Sequence, residues 1–251
     1  MNKFFVPQAD INFNTVYITG DDLKHINKVL RLKIGDKVNV NNCHGKEFLG
    51  LIDNIDREKV TINIVEELKV YNESTLKLYL FQGLPKSSKM DLIVQKATEL
   101  GVSEITPIIT NRVVIKGDFK ELKRVDRWNK IALEACKQCK RSIIPPVNTP
   151  IYFEELLKCL SNVDLIVVPY EMEKSIGIKK VINSIECREA INKVAIVIGP
   201  EGGFEKEEIE KLKDINSKIV TLGPRIFRTE TAGFVCVALL MYELGDLGGF
   251  C

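Results

Sequence analysis

The sequence predicts an α/β protein in two parts: a small β-barrel over residues 1–72, then a domain over residues 73–251 built on a mainly parallel sheet. Three observations predict this. The first seventy residues carry short, alternating apolar runs with one helical stretch among them. Beyond the polar segment Lys69–Ser74 the rhythm changes to strands alternating with amphipathic helices. Within that second part, Val163–Val168 and Val194–Ile198 are unbroken apolar runs, the pattern of strands covered on both faces of a parallel sheet.

In the first part the predicted strands are Phe4–Val6, Val16–Ile18, Lys37–Val40, Phe48–Ile55 and Val60–Val65. Turn residues such as Gly35-Asp36 and Cys43-His44-Gly45 separate them. Asp21 to Leu32 reads as a short helix with Asp21 as its cap and Leu23, Ile26, Val29 and Leu30 on one face.

In the second part Leu76, Leu78 and Leu80 alternate in a strand ending at Gln82-Gly83-Leu84-Pro85. A helix follows with Met90, Ile93, Val94, Ala97 and Leu100 on one face, and Gly101 is placed to stop it. Ile105–Ile109 is a strand. Leu122, Val125, Trp128, Ala132, Ala135 and Cys139 trace a long amphipathic helix that Pro145-Pro146 breaks, with Trp128 in the core. Glu205–Lys213 is a helix whose run Glu205–Glu210 reads as a solvated face, and Lys218–Leu222 is a strand. Thr229–Leu244 is a last helix with few charges, either deeply buried or half of a subunit interface.

At 251 residues, 45% apolar and 28% charged, the chain has an ordinary globular composition. The longest uncharged apolar run, Ala232 to Tyr242, is too short to span a bilayer, so no membrane association is expected. The N-terminus is apolar only in Phe4 to Pro7, which predicts no signal peptide. Seven scattered cysteines do not form a secreted disulfide framework, so a cytoplasmic location is expected. Net charge is only +2, yet Arg112 to Arg141 carries ten Lys/Arg against four Asp/Glu. Such an excess suits phosphate backbones, and it also suits a solvated helix face.

Two segments carry the chemistry. Ile198-Gly199-Pro200-Glu201-Gly202-Gly203-Phe204 joins a strand to a helix, and its three glycines allow close backbone approach to a ligand at a helix N-terminus. It is neither a GxxxxGK[ST] loop nor a GxGxxG fingerprint, and it follows a late strand. By spacing alone a tight turn and a ligand loop are both open. Leu222-Gly223-Pro224-Arg225-Ile226-Phe227-Arg228-Thr229-Glu230-Thr231-Ala232 again joins strand to helix, with two arginines and a Thr-Glu-Thr cap. Arginines beside a glycine turn suit anionic ligands, with salt bridges at the helix entry as the alternative.

IGPEGGF followed by LGPRIFRTETA resembles the ribosomal RNA small-subunit methyltransferase E family, S-adenosylmethionine-dependent enzymes of the SPOUT superfamily. The resemblance covers essentially the whole chain. His25-x3-Val29-Leu30-Arg31 with Gly35-Asp36 is similar to the family's N-terminal PUA-like barrel. Lys89-Met90-Asp91 and Gln95–Val102 match its first long helix, and Glu134-Ala135-x2-Gln138-x2-Arg141 with Ile144-Pro145 matches its basic helix. Phe227 departs from the family's usual leucine, a mild apolar exchange. The resemblance implies a parallel sheet ending in a trefoil knot, one of the rare exceptions to unknotted topology. It also implies a homodimer with its site at the subunit interface, and a target at N3 of one uridine of 16S rRNA in the assembled small ribosomal subunit. The implied donor-binding residues are Ile198, Gly199, Pro200, Glu201, Gly202, Gly203, Leu222, Gly223, Ile226, Phe227, Arg228, Thr231 and Ala232.

Uridine N3 bears a proton at neutral pH, so its methylation requires proton removal and stabilisation of a developing anion. Arg228 and Arg225 are the candidates for the anion, with Glu230 or Glu201 as base or orienting group. Candidate RNA contacts are Lys123, Arg127, Lys137 and Arg141 on the basic helix, and His25 and Arg31 in the barrel. For His25 a role in shaping the barrel is equally open, and for Arg31 a structural salt bridge. Cys136-x2-Cys139 has no second pair and falls inside a helix, so no metal site is expected. Two other functions are considered. A SPOUT ribose 2′-O-methyltransferase fits poorly with Thr229-Glu230-Thr231, and a non-catalytic RNA-binding assembly factor fits poorly with intact donor loops.

Overall fold

The computed structural model describes residues 1–7, 10–86, 89–113 and 122–249 and divides into two units. The first unit comprises Met1–Glu73 together with Cys136–Ile144. Its strands are β1 (Lys3–Phe5), β2 (Ile11–Asn12), β3 (Thr15–Ile18), β4 (Lys37–Asn41), β5 (Glu47–Ile55) and β6 (Val60–Leu68). They form one sheet in the order β1-β4-β5-β6-β3-β2, antiparallel except for the parallel β1–β4 pair. Register shifts at Leu49/Gly50 and Ile52/Asn54 between β5 and β6 increase the twist and curl the sheet. Alternation then places Val16, Ile18, Val38, Val40, Ile52, Val60 and Ile62 in one buried cluster with Ile26.

The helical stretch of this unit differs from the one expected. Helix α1 (Gly20–Lys24) starts one residue earlier than expected, and its N-cap, Thr19, makes no side-chain cap. Asp21 does not cap it, because its carboxylate takes the Lys24 ammonium at 2.8 Å. His25–Leu30 continues as a π-helical turn and ends at Arg31, which is left-handed at φ 52°.

Glu73 anchors the segment contributed from later in the chain. Its carboxylate accepts from the Arg141 guanidinium at 2.8 Å and from the Ser142 and Ile143 amides at 2.7 and 2.9 Å. Glu47, which is buried, accepts from Ser142 Oγ at 3.1 Å and pairs with Lys3.

The second unit comprises Ser74–Ala135 and Pro145–Cys251. Its sheet runs β12 (Lys218–Val220), β10 (Leu165–Pro169), β11 (Lys193–Ile198), β7 (Lys77–Gly83), β8 (Glu104–Ile109) and β9 (Ile151–Tyr152), and every pair is parallel. Its helices are α2 (Lys89–Glu99), α3 (Leu122–Cys139, whose last four residues count with the first unit), α4 (Phe153–Cys159), α5 (Ile178–Asn183), α6 (Lys206–Asp214) and α7 (Thr229–Leu244). Val194–Ile198 is buried throughout, as an unbroken apolar strand in a doubly covered sheet must be. Gly101, at φ +92°, ends α2: its amide bonds to Thr98 and that of Val102 bonds to Ala97. Trp128 is buried on α3.

Three features depart from the sequence reading. Helix α3 ends at Cys139, where Lys140 turns left-handed at φ 63°, so the prolines at 145 and 146 do not stop it. Elements β9, α4 and α5 are too short to show a period. The run 205–210 is not wholly solvated, since Glu208 is buried and accepts from the Glu205 and Asn111 amides at 2.8 and 2.9 Å. No helix among the described residues is long and apolar enough to cross a membrane.

Candidate functional site

The chemistry-bearing segments meet at the carboxyl ends of parallel strands in the second unit, where open α/β sheets offer their ligand crevices. The loop after β11 begins at Gly199, and the loop after β12 leads into α7. A hydrogen-bond chain ties them together. Gln82 Nε2, fully buried at the end of β7, donates to Thr229 Oγ1 at 2.8 Å, and Thr229 Oγ1 donates to the Gly199 carbonyl at 2.6 Å. This corrects the expected Thr-Glu-Thr cap. Arg228 is the N-cap of α7 and makes no side-chain cap, while the Thr229 hydroxyl is spent on Gly199. Gln82 Oε1 is buried without a hydrogen bond.

Glycines let these pieces approach. A Cβ on Gly83 would lie 2.3 Å from the Pro200 nitrogen, so β7 and the loop touch backbone to backbone. Gly203, at φ +70°, closes a turn through its amide to the Pro200 carbonyl at 2.9 Å. Gly223, at φ +111°, faces open space: a Cβ there meets nothing within 4 Å.

Charged side chains clamp the first loop on two sides. Arg112, just past β8, makes a bidentate pair with Glu205 at 2.8 and 3.0 Å and donates to the Gly202 carbonyl at 2.8 Å. This pairing raises the Arg112 pKa and lowers that of Glu205. On the other side Lys89 Nζ lies 3.1 Å from Glu201 and 3.4 Å from Glu230. The Glu201 carboxylate also accepts from the Lys86 amide at 3.1 Å. Burial pushes the Glu201 carboxyl up, but its own backbone N–H, Lys89 and the Lys86 amide outweigh that and leave it below the usual range.

The predicted donor-binding residues thus gather on two adjoining loops. Ile198 and Pro200 are buried, and Gly199, Gly203, Leu222, Phe227, Thr231 and Ala232 are half-buried. Glu201, Gly202, Gly223, Arg225, Ile226 and Arg228 are exposed. Arg225 and Arg228 make no ion pair among the described residues, whereas Glu230 is buried against Lys89. Gln82, Gly83, Lys89 and Arg112 are parts of this arrangement that the sequence does not assign to the site, whereas Thr229 lies within the expected turn. Lys89 was visible only as part of a motif.

The candidate RNA contacts differ in exposure. Arg141 is 6% exposed and held by Glu73, so its guanidinium does not present itself to a phosphate. His25, Arg31, Lys123 and Arg127 are exposed, with Arg127 paired to Asp91. Lys137 is half-buried, 3.6 Å from Asp22. Lys116, Lys120, Asp118 and Glu121 of the basic segment lie outside the described residues. Cys136 is buried beside the Ile143 carbonyl, and burial pushes its thiol up to about 12. A cavity of about 390 Å³ opens near the amino ends of the strands, against Tyr79, Glu104 and Lys193, and takes no part in this site.

Comparison with known proteins follows the same division. Residues 72–241 match the RNA methyltransferase domain family, and residues 18–65 match the RNA methyltransferase PUA domain family. The chain is 34% identical over 240 residues to the ribosomal RNA small subunit methyltransferase E of Bacillus subtilis, covering 94% of this chain and 93% of that protein. It is 31% identical over 229 residues to the protein of that name from Aquifex aeolicus, covering 91% and 94%. Among solved structures, the ribosomal RNA small subunit methyltransferase E of Neisseria gonorrhoeae, bound to S-adenosyl methionine, superposes with a TM-score of 0.83. It shares 28% identity and covers 98% of this chain and 99% of that one.

Proposed function

The chain belongs to the ribosomal RNA small subunit methyltransferase E family, and from that premise we propose that it methylates N3 of one uridine of 16S rRNA in the assembled small ribosomal subunit. It is an S-adenosylmethionine-dependent rRNA methyltransferase. On this reading residues 1–72 serve RNA binding and residues 73–251 carry the reaction, with the trefoil knot around the two loops. The enzyme works in the cytoplasm as a homodimer.

The residues present fit the methyl donor. Exposed backbone at Gly202 and Gly223 allows a nucleoside to approach closely, the Glu201 carboxylate suits a cationic group, and Arg225 and Arg228 suit a carboxylate or an oxyanion. When bound, the donor supplies an electrophilic methyl group on a sulfonium. The chain's task is to orient the uracil, stabilise the anion that forms on its oxygens and accept or release the N3 proton. A guanidinium stays charged throughout, so Arg228 and Arg225 stabilise the anion. Glu230, a carboxylate in the first turn of α7, orients or accepts the proton on this reading.

The observation that carries this reading is the Gln82–Thr229–Gly199 chain, which brings the glycine loop and the arginine turn to one place. The test is methyl transfer to small subunits lacking the modification, read by primer extension. A methyl on N3 removes the Watson–Crick donor and arrests the polymerase, while a 2′-O-methyl leaves pairing intact. Transfer without an arrest would favour the ribose reading, and absence of donor binding would favour an RNA-binding assembly factor. Exposed Ile226, Leu239 and Tyr242 on and beside α7 support the homodimer. Light scattering giving a concentration-independent mass of one 28.4 kDa chain would overturn that part.

A further inference from the structure

We infer that Lys89 is a positioning residue of the methyl-transfer site, joining the glycine loop to the arginine-bearing turn by holding one carboxylate of each. The inference rests on the methyltransferase reading and adds a residue to its machinery. Lys89 is the first residue of α2, and its ammonium reaches Glu201 at 3.1 Å and Glu230 at 3.4 Å. These acids come from different loops, 29 positions apart in sequence. Glu201 precedes Gly202-Gly203, and Glu230 stands two residues after Arg228.

The electrostatics require a cation at this point. Glu230 Oε2 is buried with no hydrogen bond, so the Lys89 pair is what meets its charge among the described residues. Two carboxylates this close to one ammonium repel each other strongly once the ammonium is removed, because partial burial weakens solvent screening. The hydrogen bond to Glu201 raises the Lys89 pKa against the opposing effect of burial, so the ammonium stays charged. Glu201 has a second partner in the Lys86 amide, whereas Glu230 has no second partner among the described residues, so loss of Lys89 falls chiefly on the turn carrying Arg228.

Lys89 is not what holds α2 to the fold. That helix is anchored by buried Met90, Ile93, Val94 and Ala97, while the Lys89 side chain is one-third exposed at the loop rim. A purely structural role would therefore show in melting, and a positioning role in donor affinity and turnover.

The experiment compares Lys89→Met, Lys89→Arg, Glu201→Gln and the double variant Lys89→Met/Glu201→Gln in the full chain. Readouts are S-adenosylmethionine affinity by calorimetry, kcat and KM on small subunits, and Tm. Lys89→Met should weaken donor binding and lower kcat by about tenfold each, with KM for the subunit and Tm little changed. Lys89→Arg should recover most of the loss by restoring the charge. Lys89→Met should cost less in the Glu201→Gln background than in the wild type, because one of the two repelling carboxylates is gone. Wild-type affinity and kcat in Lys89→Met would overturn the inference, as would additive losses in the double variant. If Lys89→Met fails to fold, a Lys89→Arg variant no better than a Lys89→Gln variant overturns it equally. Wild-type protein that binds no S-adenosylmethionine would instead overturn the methyltransferase reading, and the inference with it.

Discussion

Gly83 and Pro200 touch so closely that one added methyl group on Gly83 would stand 2.3 Å from the Pro200 nitrogen and 2.6 Å from the Gly199 carbonyl carbon. Both neighbours are backbone, so neither can swing aside as a side chain would. Gly83→Ala should destabilise the protein by about 1–3 kcal/mol, the usual cost of overpacking. It should also displace the glycine loop and weaken donor binding. Urea unfolding and calorimetry on one preparation check both, and unchanged values would mean that the loop is held by other contacts.

Thr229 donates to Gly199 and accepts from Gln82, so Thr229→Val removes two hydrogen bonds at almost constant volume. The cost should be about 1–3 kcal/mol, because the Gly199 carbonyl is left behind in a buried place and the Gln82 amide keeps only its bond to the Gly83 carbonyl at 3.1 Å. Gln82→Met should cost less than Thr229→Val: Gln82 Oε1 already lacks a partner, and Met takes away the amide rather than orphaning it. Denaturant midpoints decide the order of the two variants, and the reverse order would contradict this account of the chain.

Much of this site is legible in the sequence because its loops are local. Its glycines and arginines lie within segments of seven and eleven residues, so each motif is whole in the sequence before the chain folds. The rest depends on residues far apart in the chain. Gln82 reads as an ordinary strand end until β7 and β11 lie side by side, with Gln82 opposite Ile198. Arg141 reads as one more cation of a basic helix, but the helix ends two residues earlier and Glu73 captures its guanidinium. Period and charge predict elements and faces, and they carry no information on which distant acid completes an ion pair.

Thiol reactivity should separate the cysteines by burial. Burial pushes the Cys136 thiol up to about 12 and also raises that of Cys236, while Cys159 and Cys187 are exposed. At pH 8 a thiol with a pKa near 12 is ionised to roughly one part in 10⁴, and thiolate is the reacting form. In a Cys251→Ser background, an aromatic disulfide reagent should modify Cys159 and Cys187 rapidly. Cys136 and Cys236 should react only as the protein unfolds, with a rate that rises in urea. Rapid labelling of Cys136 in the native protein, located by peptide mapping, would show that the 136–144 segment opens readily.

Arg228 and the pair Lys123 and Arg127 should fail in opposite ways. Arg228 is exposed at the start of α7, and the part it plays in the helix is its carbonyl, which accepts from the Ala232 amide at 2.8 Å. Truncating its side chain leaves that carbonyl in place, so Arg228→Ala should fold and bind small subunits normally. If its guanidinium stabilises the anion on uracil, kcat should fall by roughly 10²-fold or more. Lys123 and Arg127 are exposed on α3, and the Arg127 pair with Asp91 is a surface pair worth at most about 1 kcal/mol. Replacing both with glutamine should therefore spare the fold and donor affinity. Binding to small subunits should weaken, and the slope of log affinity against log salt should flatten by about 0.7–0.9 for each phosphate no longer neutralised. Filter binding across a salt series gives the slope, and single-turnover methylation at saturating subunit gives kcat. An unchanged slope would reduce α3 to a solvated face, and a normal kcat in Arg228→Ala would move the anion-stabilising role to Arg225.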